Sequence, residues 1–231
     1  PFYICEHNVD YYFYAEKLGS RFLLPISLYK AIEISICKKV DRVICFNESD
    51  KSRLVSDGVP SDKILVWRFQ ITPKKYSKKK AFEKLPFTFR NFIEKESKPI
   101  ACFLGANYTP NIIAVQHILK IARDVPHITF LIVGSVGERF RETKVPSNVI
   151  FTGYVEGVEP YLAISDLFLN LKLTSDTGIE AKMFDYLKYD KPIISTKIGA
   201  YGFEHCKNVI IVQDLSEMKE KIKELCKRVV K

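Results

Sequence analysis

The sequence predicts an α/β protein of the doubly wound type, built on parallel sheets. Three observations lead there. Short β-branched runs recur along the 231 residues, segments with helical apolar spacing separate them, and the runs are continuously apolar rather than alternating. Strands that read this way are buried on both faces, as in sheets covered by helices on each side.

Residues 1–5, PFYIC, look like a strand entered partway, and RVICF (42–46) and KILVW (63–67) follow as strands. The later runs are PIACFL (99–104), ITFLIV (128–133), NVIF (148–151), LFLNL (167–171), PIIS (192–195) and NVIIV (208–212). In NIIAVQHILKIARDV (111–125), Ile112, Val115, Ile118, Leu119 and Ala122 recur at helical spacing. SEMKEKIKELCKRVV (216–230) is a second amphipathic helix.

Between Thr72 and Lys98 the composition shifts to many lysines, two prolines and no clean strand. Residues 73–98 are therefore expected to be a basic linker. Residues 99–231 after it read strand, helix, strand, short helix, strand, helix, strand, helix, strand, helix, a complete Rossmann-like unit. Residues 1–72 before it hold only two or three strands, so this first domain is expected to be incomplete, with a natural start upstream of Pro1.

An apolar fraction of 47% in 231 residues allows a sizeable core. No uncharged apolar run reaches the ~18 to 20 residues that span a bilayer. The six cysteines form no CxxC pair and sit mostly in apolar runs, which suits a reducing, cytoplasmic setting better than a disulfide frame or zinc site. A net charge of +9 favours an anionic partner. The lysines of Lys74–Lys80 read either as a solvated connection or as a contact with anionic lipid headgroups at the inner membrane face. No nucleic-acid-binding signature accompanies the charge, so nucleic acid is not expected as a partner. LIVGSVGERF has too few glycines for a dinucleotide fingerprint, and no G-x-S-x-G elbow occurs.

The most informative stretch is TSDTGIEAKMFDYLKYDKPIIST (174–196). A helix is expected to begin just after Gly178, where free N–H groups and a close backbone approach favour a phosphate. Ala181, Phe184 and Leu187 would form its buried face. Lys182 and Asp185 share another face with Tyr189. Lys182 could reach a phosphate as a point charge, and Asp185 could accept hydrogen bonds from vicinal ribose hydroxyls. The same spacing also suits an ordinary i,i+3 ion pair on an exposed helix, worth a few tenths of a kcal/mol.

In order along the chain, IACFLGANYTPNIIAVQHIL, LIVGSVGERF, NVIFTGYVEGVEPYLAISDLFLNL and TGIEAKMFDYLKYDKPIISTKIGAYGF resemble the donor-binding half of a GT-B glycosyltransferase of the large retaining family 4, or group 1, type. The family's last pattern, G...K..E....G.P.V.T..G..G, is met by Gly178, Lys182, Asp185, Pro192, Thr196, Gly199 and Gly202. The upstream YICEHNVDYYFYAEKLGSR and VDRVICFNESDKSRLVSDGVPSDKILV resemble the end of the family's acceptor-side domain, and EHN resembles its strand-end His motif facing the reacting sugar.

The resemblance implies a retaining, hexosyl-type transferase that moves a sugar from a nucleotide donor, UDP- or GDP-linked, to a glycan or lipid-linked acceptor. It implies no cofactor and no metal. His7 and Lys182 would be catalytic. Thr177, Gly178 and Ile179 would face the diphosphate or sugar, the backbone at Tyr154 and Val155 the base, and Gly105 would leave room at the cleft. The pattern departs from the family in places. Thr177 stands where the first acid of the family's Glu-x7-Glu pair would be, and ANYTPN carries neither Arg nor Lys, which leaves the diphosphate charge to Lys182. An alternative is a nucleotide-sugar-binding half that does no chemistry without a separate acceptor half.

Overall fold

The structure, a computed structural model, describes residues 1–5, 23–174 and 179–229. The chain divides into two compact units, Pro1–Gln70 with Thr174–Glu180 and Tyr201–His205, and Ile71–Leu173 with Ala181–Ala200 and Cys206–Lys231.

The first unit holds a parallel sheet of three strands, β1 (Tyr3–Cys5), β2 (Arg42–Cys45) and β3 (Ile64–Val66), in the order β1-β2-β3. Helices α1 (Leu23–Lys39) and α2 (Glu48–Ser56) cover it. Ile34, Cys37, Val43, Cys45, Leu54, Val59 and Ile64 form its core. Asn47 caps α2 reciprocally: its Oδ1 accepts the Asp50 N–H at 2.8 Å and its Nδ2 donates to Asp50 Oδ2 at 3.1 Å. Segment 201–205 joins this unit through a stack in which Phe69 lies between Phe46 and Phe203, at 4.8 and 5.5 Å. The Tyr201 hydroxyl donates to the buried Asp50 carboxylate.

The second unit is a six-stranded parallel sheet of β4 (Ile100–Leu104), β5 (Thr129–Val133), β6 (Val149–Phe151), β7 (Leu167–Asn170), β8 (Ile193–Thr196) and β9 (Val209–Val212). Its order, β6-β5-β4-β7-β8-β9, reverses direction between β4 and β7, as in a doubly wound fold. The helices are α3 (Lys78–Glu83), α4 (Phe87–Glu96), α5 (Thr109–Asp124), α6 (Glu159–Ile164), α7 (Ala181–Tyr186) and α8 (Leu215–Val229), with a 3-10 helix at Ser135–Phe140. As the spacing predicts, Val115, Ile118, Leu119 and Ala122 of α5 are buried, in one core with Phe103, Phe130 and Ile132 of the sheet. Met218, Ile222 and Cys226 of α8 join the same core.

Three local expectations change. Residues 73–98 hold two helices, α3 and α4, within the second unit. Ser77 caps α3, Phe89 of α4 meets Tyr161 of α6 edge-on at 5.7 Å, and Lys78 pairs with Asp166 at 2.8 Å. The order read from the sequence counts five strands in this unit, whereas the sheet has six: β9 follows β8 with no helix between them, the chain crossing from Lys197 to Asn208 in turns. The buried side chains of α7 are Met183 and Tyr186, followed by Leu187 and Tyr189, while Ala181 is exposed and Phe184 half-buried. Helical spacing offered two apolar faces there, and burial went to the one carrying Tyr186, whose hydroxyl finds backbone partners. Among the described residues, no helix is long and apolar enough to cross a membrane.

Candidate functional site

Strands β4 and β5 pair over five residues, but β4 meets β7 only at Ala101↔Leu167 and Cys102↔Phe168. At their carboxyl ends the two central strands therefore lack a common ladder, the position where open α/β sheets hold ligands. Tyr186 bridges this gap. Its hydroxyl accepts the Leu104 N–H at 2.7 Å and donates to the Leu169 carbonyl at 3.3 Å, and its ring, fully buried, stacks on Phe168 at 4.6 Å.

Beyond β4 the backbone is tightly packed. The Gly105 N–H donates to Val133 O at 2.9 Å, and the Gly105 carbonyl accepts from Val136 at 3.2 Å. Gly134 approaches that carbonyl so closely that a Cβ on it would lie 2.4 Å from the oxygen, and its φ of +107° independently favours glycine. A Cβ on Gly105 would lie 2.8 Å from Phe103 Cε1 and 3.1 Å from Asn111 Cγ.

Lys182 enters this corner. Its Nζ donates to Asn111 Oδ1 at 2.9 Å and lies 4.4 Å from the centroid of the Phe103 ring. Asn111 Nδ2 donates in turn to the Ala106 carbonyl at 3.1 Å. Gly105, Asn111 and Lys182 thus converge at the end of β4. Asp185, one turn along α7 and half-buried, accepts from Lys188 Nζ at 2.6 Å.

The ends of β7 and β8 are joined by a buried polar network. Asn170 Nδ2 donates to Gly199 O at 2.7 Å, and Thr196 Oγ1 donates to the Lys172 carbonyl at 2.6 Å and accepts the Lys172 N–H at 3.1 Å. This network fixes the loop exits on either side of the segment that leads into α7.

Of the other expected site residues, three are described. Tyr154 and Val155 line a cleft of about 740 Å³ together with residues of α3 and α6. Ile179 belongs to the first unit, its Cγ1 3.4 Å from where a Cβ on Gly202 would be. His7, Thr177 and Gly178 lie outside the described residues. Sequence reasoning missed Asn111 and Tyr186. Asn111 had a signal, since it follows Pro110 in the first turn of α5, on the loop side of β4.

A family profile described as "Glycosyl transferases group 1" matches residues 98–228, more than half of the chain and all of β4 to α8 except its last residue. The chain belongs to this family. Its fold class is that of the GT-B enzymes, α/β with parallel sheets, here of three and six strands.

Solved structures with the same fold include Anabaena Alr3699/HepE in complex with UDP, at 14% identity and a TM-score of 0.64, covering 97% of this chain and 62% of that one. The same protein in complex with UDP-glucose gives 13% identity and a TM-score of 0.63, again covering 97% and 62%. A glycosyltransferase from Rickettsia africae ESF-5 gives 17% identity and a TM-score of 0.59, covering 90% of this chain and 57% of that one. The chain spans less than two thirds of the length of these proteins. No curated protein matches it in sequence. In this member of the group 1 family, the convergence of Gly105, Asn111 and Lys182, the Tyr154 loop and Asp185 all fall within the matched region.

Proposed function

We propose that the chain carries the donor-binding half of a sugar transferase, in which a nucleotide sugar docks at the carboxyl ends of β4 and β7. The observation that carries the reading is the approach of Lys182 to Asn111 beside Gly105. Phosphate oxygens can replace Asn111 Oδ1 as the acceptor of the ammonium, and the crowded glycine corner keeps side chains out of their way. The binding of UDP and UDP-glucose by HepE, on a similar fold, supports the same reading.

In this reading Lys182 stabilises the negative charge that develops on the departing diphosphate, an electrostatic contribution realised most fully in the transition state. Asp185, as a carboxylate, accepts from the ribose hydroxyls after exchanging its bond to Lys188. The sugar passes to a glycan or lipid-linked acceptor with retention at the anomeric carbon, and the donor is a substrate rather than a cofactor. The basic stretch Lys74–Lys80 supports a peripheral contact with an anionic membrane face from the cytoplasm.

The test is thermal unfolding of the chain with UDP, GDP, ADP and their sugar conjugates. Ligand at ~100 times its Kd adds about 2.7 kcal/mol, a rise of roughly 5 to 11 °C for a chain of this size. A rise with one base, lost in Lys182→Met, supports the reading. A cooperative melt that none of the nucleotides moves overturns it.

A further inference from the structure

Lys172 stands just past the carboxyl end of β7 and is 3% exposed. Glu138 and Arg139 after β5, Glu156 after β6 and Lys197 after β8 are exposed by contrast. Lysine ordinarily keeps its ammonium in water and is almost never buried this far except beside a charge of opposite sign. A covered lysine at the ligand end of the sheet is therefore a feature that packing alone does not ask for.

The strand tells which way the side chain stands. Leu167, Leu169 and Leu171 belong to the core that α5 and α8 share with the sheet. Phe168, between them, stacks on Tyr186 of α7. Side chains alternate along a strand, so Asn170 and Lys172 stand on the Phe168 side, the face covered by α7. The backbone of Lys172 is held firmly. Thr196 Oγ1 accepts its N–H at 3.1 Å, donates to its carbonyl at 2.6 Å, and accepts the Gly199 N–H at 3.3 Å. The β7–β8 ladder has ended at Asn170↔Ser195, and one hydroxyl continues it by a residue.

Lys172 and Lys182 approach the same end of the sheet by different routes. The pairing Cys102↔Phe168 sets Ala106 and Lys172 level with each other, each four residues further along its own chain. Asn111, which accepts from Lys182 Nζ, also donates to the Ala106 carbonyl. The Lys182 ammonium is thus tied to the chain that runs beside Lys172. A nucleotide sugar carries a negative charge on each phosphate, and one ammonium balances only part of it. Residues 105–111, between β4 and the first turn of α5, contain no Arg or Lys to add to it.

We propose that Lys172 is a second cation for the diphosphate, meeting it from the exit of β7 as Lys182 does from the first turn of α7. The inference rests on the nucleotide reading above. A covered ammonium interacts with phosphate oxygens through a lower dielectric than an exposed one does, so its contribution is less screened. Thr196 acts through Lys172 and is a positioning residue: it fixes the backbone from which the ammonium is presented.

The test is titration calorimetry of UDP, UMP and uridine, with GDP, GMP and guanosine alongside, into the parent, Lys172→Met and Lys182→Met. Lys172→Met is expected to weaken the nucleoside diphosphate by about ten- to a hundredfold, to leave the nucleoside unchanged, and to shrink the preference for diphosphate over monophosphate. Thr196→Val, which removes the hydroxyl and keeps the shape, is expected to move the same preference in the same direction, and Thr196→Ser to restore it. This pair reads the split without removing a buried charge. Diphosphate affinity that survives in Lys172→Met but falls in Lys182→Met overturns this inference and leaves the nucleotide reading standing. A loss shared equally by the nucleoside also overturns it, since that marks a general disturbance of the fold. A cooperatively folded parent that binds none of the nucleotides overturns both.

Discussion

The Tyr186 hydroxyl accepts the Leu104 amide N–H at 2.7 Å, from a residue 82 positions away, and so completes the backbone of β4 where its ladder to β7 has ended. One phenol takes the place of a strand neighbour. The two central strands can part at the ligand end of the sheet without leaving that amide unsatisfied, a cost that otherwise runs to about 1–3 kcal/mol.

Tyr186→Phe keeps the ring stacked on Phe168 and removes only the hydroxyl. The variant is expected to lose about 1–3 kcal/mol of stability, seen as a melting temperature roughly 2 to 12 °C lower. Calorimetry checks it. A variant as stable as the parent would mean that Leu104 has another acceptor within reach.

Lys182 and Asp185 can be told apart by ligand chemistry. Lys182→Met is expected to weaken binding of the nucleoside diphosphate by about ten- to a hundredfold, the scale of one or two charge-assisted hydrogen bonds, and to leave the free nucleoside almost unaffected. Titration calorimetry with both ligands checks the split.

Asp185→Ala should change stability by no more than about 0.5 kcal/mol, because its pair with Lys188 is about a third exposed on each side and is screened. Its effect is expected on the ribose instead. The parent should bind the 2′-deoxynucleotide several-fold more weakly than the ribonucleotide, and the variant should no longer discriminate. Discrimination that survives in Asp185→Ala would move the ribose contact to another residue.

Much of this was legible in the sequence because buried parallel strands write themselves as continuous apolar runs. PIACFL and ITFLIV became β4 and β5, each starting one residue later and ending where expected. Gly105 and Lys182 could be singled out as candidates because a glycine at a strand exit and a cation in the first turn of a helix are local features. The partner of Lys182 could not, since Asn111 is 71 residues away and only the reversal of strand order between β4 and β7 brings them together. The buried face of α7 was misread for a related reason. A tyrosine counts as polar or apolar according to whether its hydroxyl finds a partner, and both partners of Tyr186 lie on strands. Helices α3 and α4 were hidden by their lysines, whose stems cover the surface while Phe89 makes the contact.

The glycines after β5 and β6 give a paired test of crowding against backbone conformation. Both have positive φ, +107° at Gly134 and +67° at Gly153, but a Cβ at Gly153 would meet nothing within 4 Å, whereas at Gly134 it would strike the Gly105 carbonyl. Gly153→Ala is expected to cost about 1 kcal/mol from conformation alone. Gly134→Ala should cost about 3 kcal/mol or more, because backbone on both sides must move. Urea unfolding of the two variants checks the difference, and equal costs would mean that the Gly105 loop yields without resistance.

Lys191 offers a pH signature. It is 6% exposed, its Nζ donates to the Leu162 and Ala163 carbonyls at 2.9 and 2.6 Å, and the Tyr76, Tyr189 and Phe168 rings lie around it. Burial pushes its pKa down from 10.5 to about 7, Lys78 pushes the same way, and Asp166 opposes them. The folded chain therefore holds this proton less tightly than the unfolded chain does. Below about 7 both states carry it and pH has no effect through this group; between about 7 and 10.5 the unfolded state alone binds it, so stability rises with pH. Lys191→Met removes the titration while filling a similar volume. The stability of the parent minus that of the variant, measured by urea unfolding across this range, is expected to increase with pH. A difference that stays flat up to 10 would mean that the two carbonyls and the rings keep the ammonium charged, outweighing the cost of its burial.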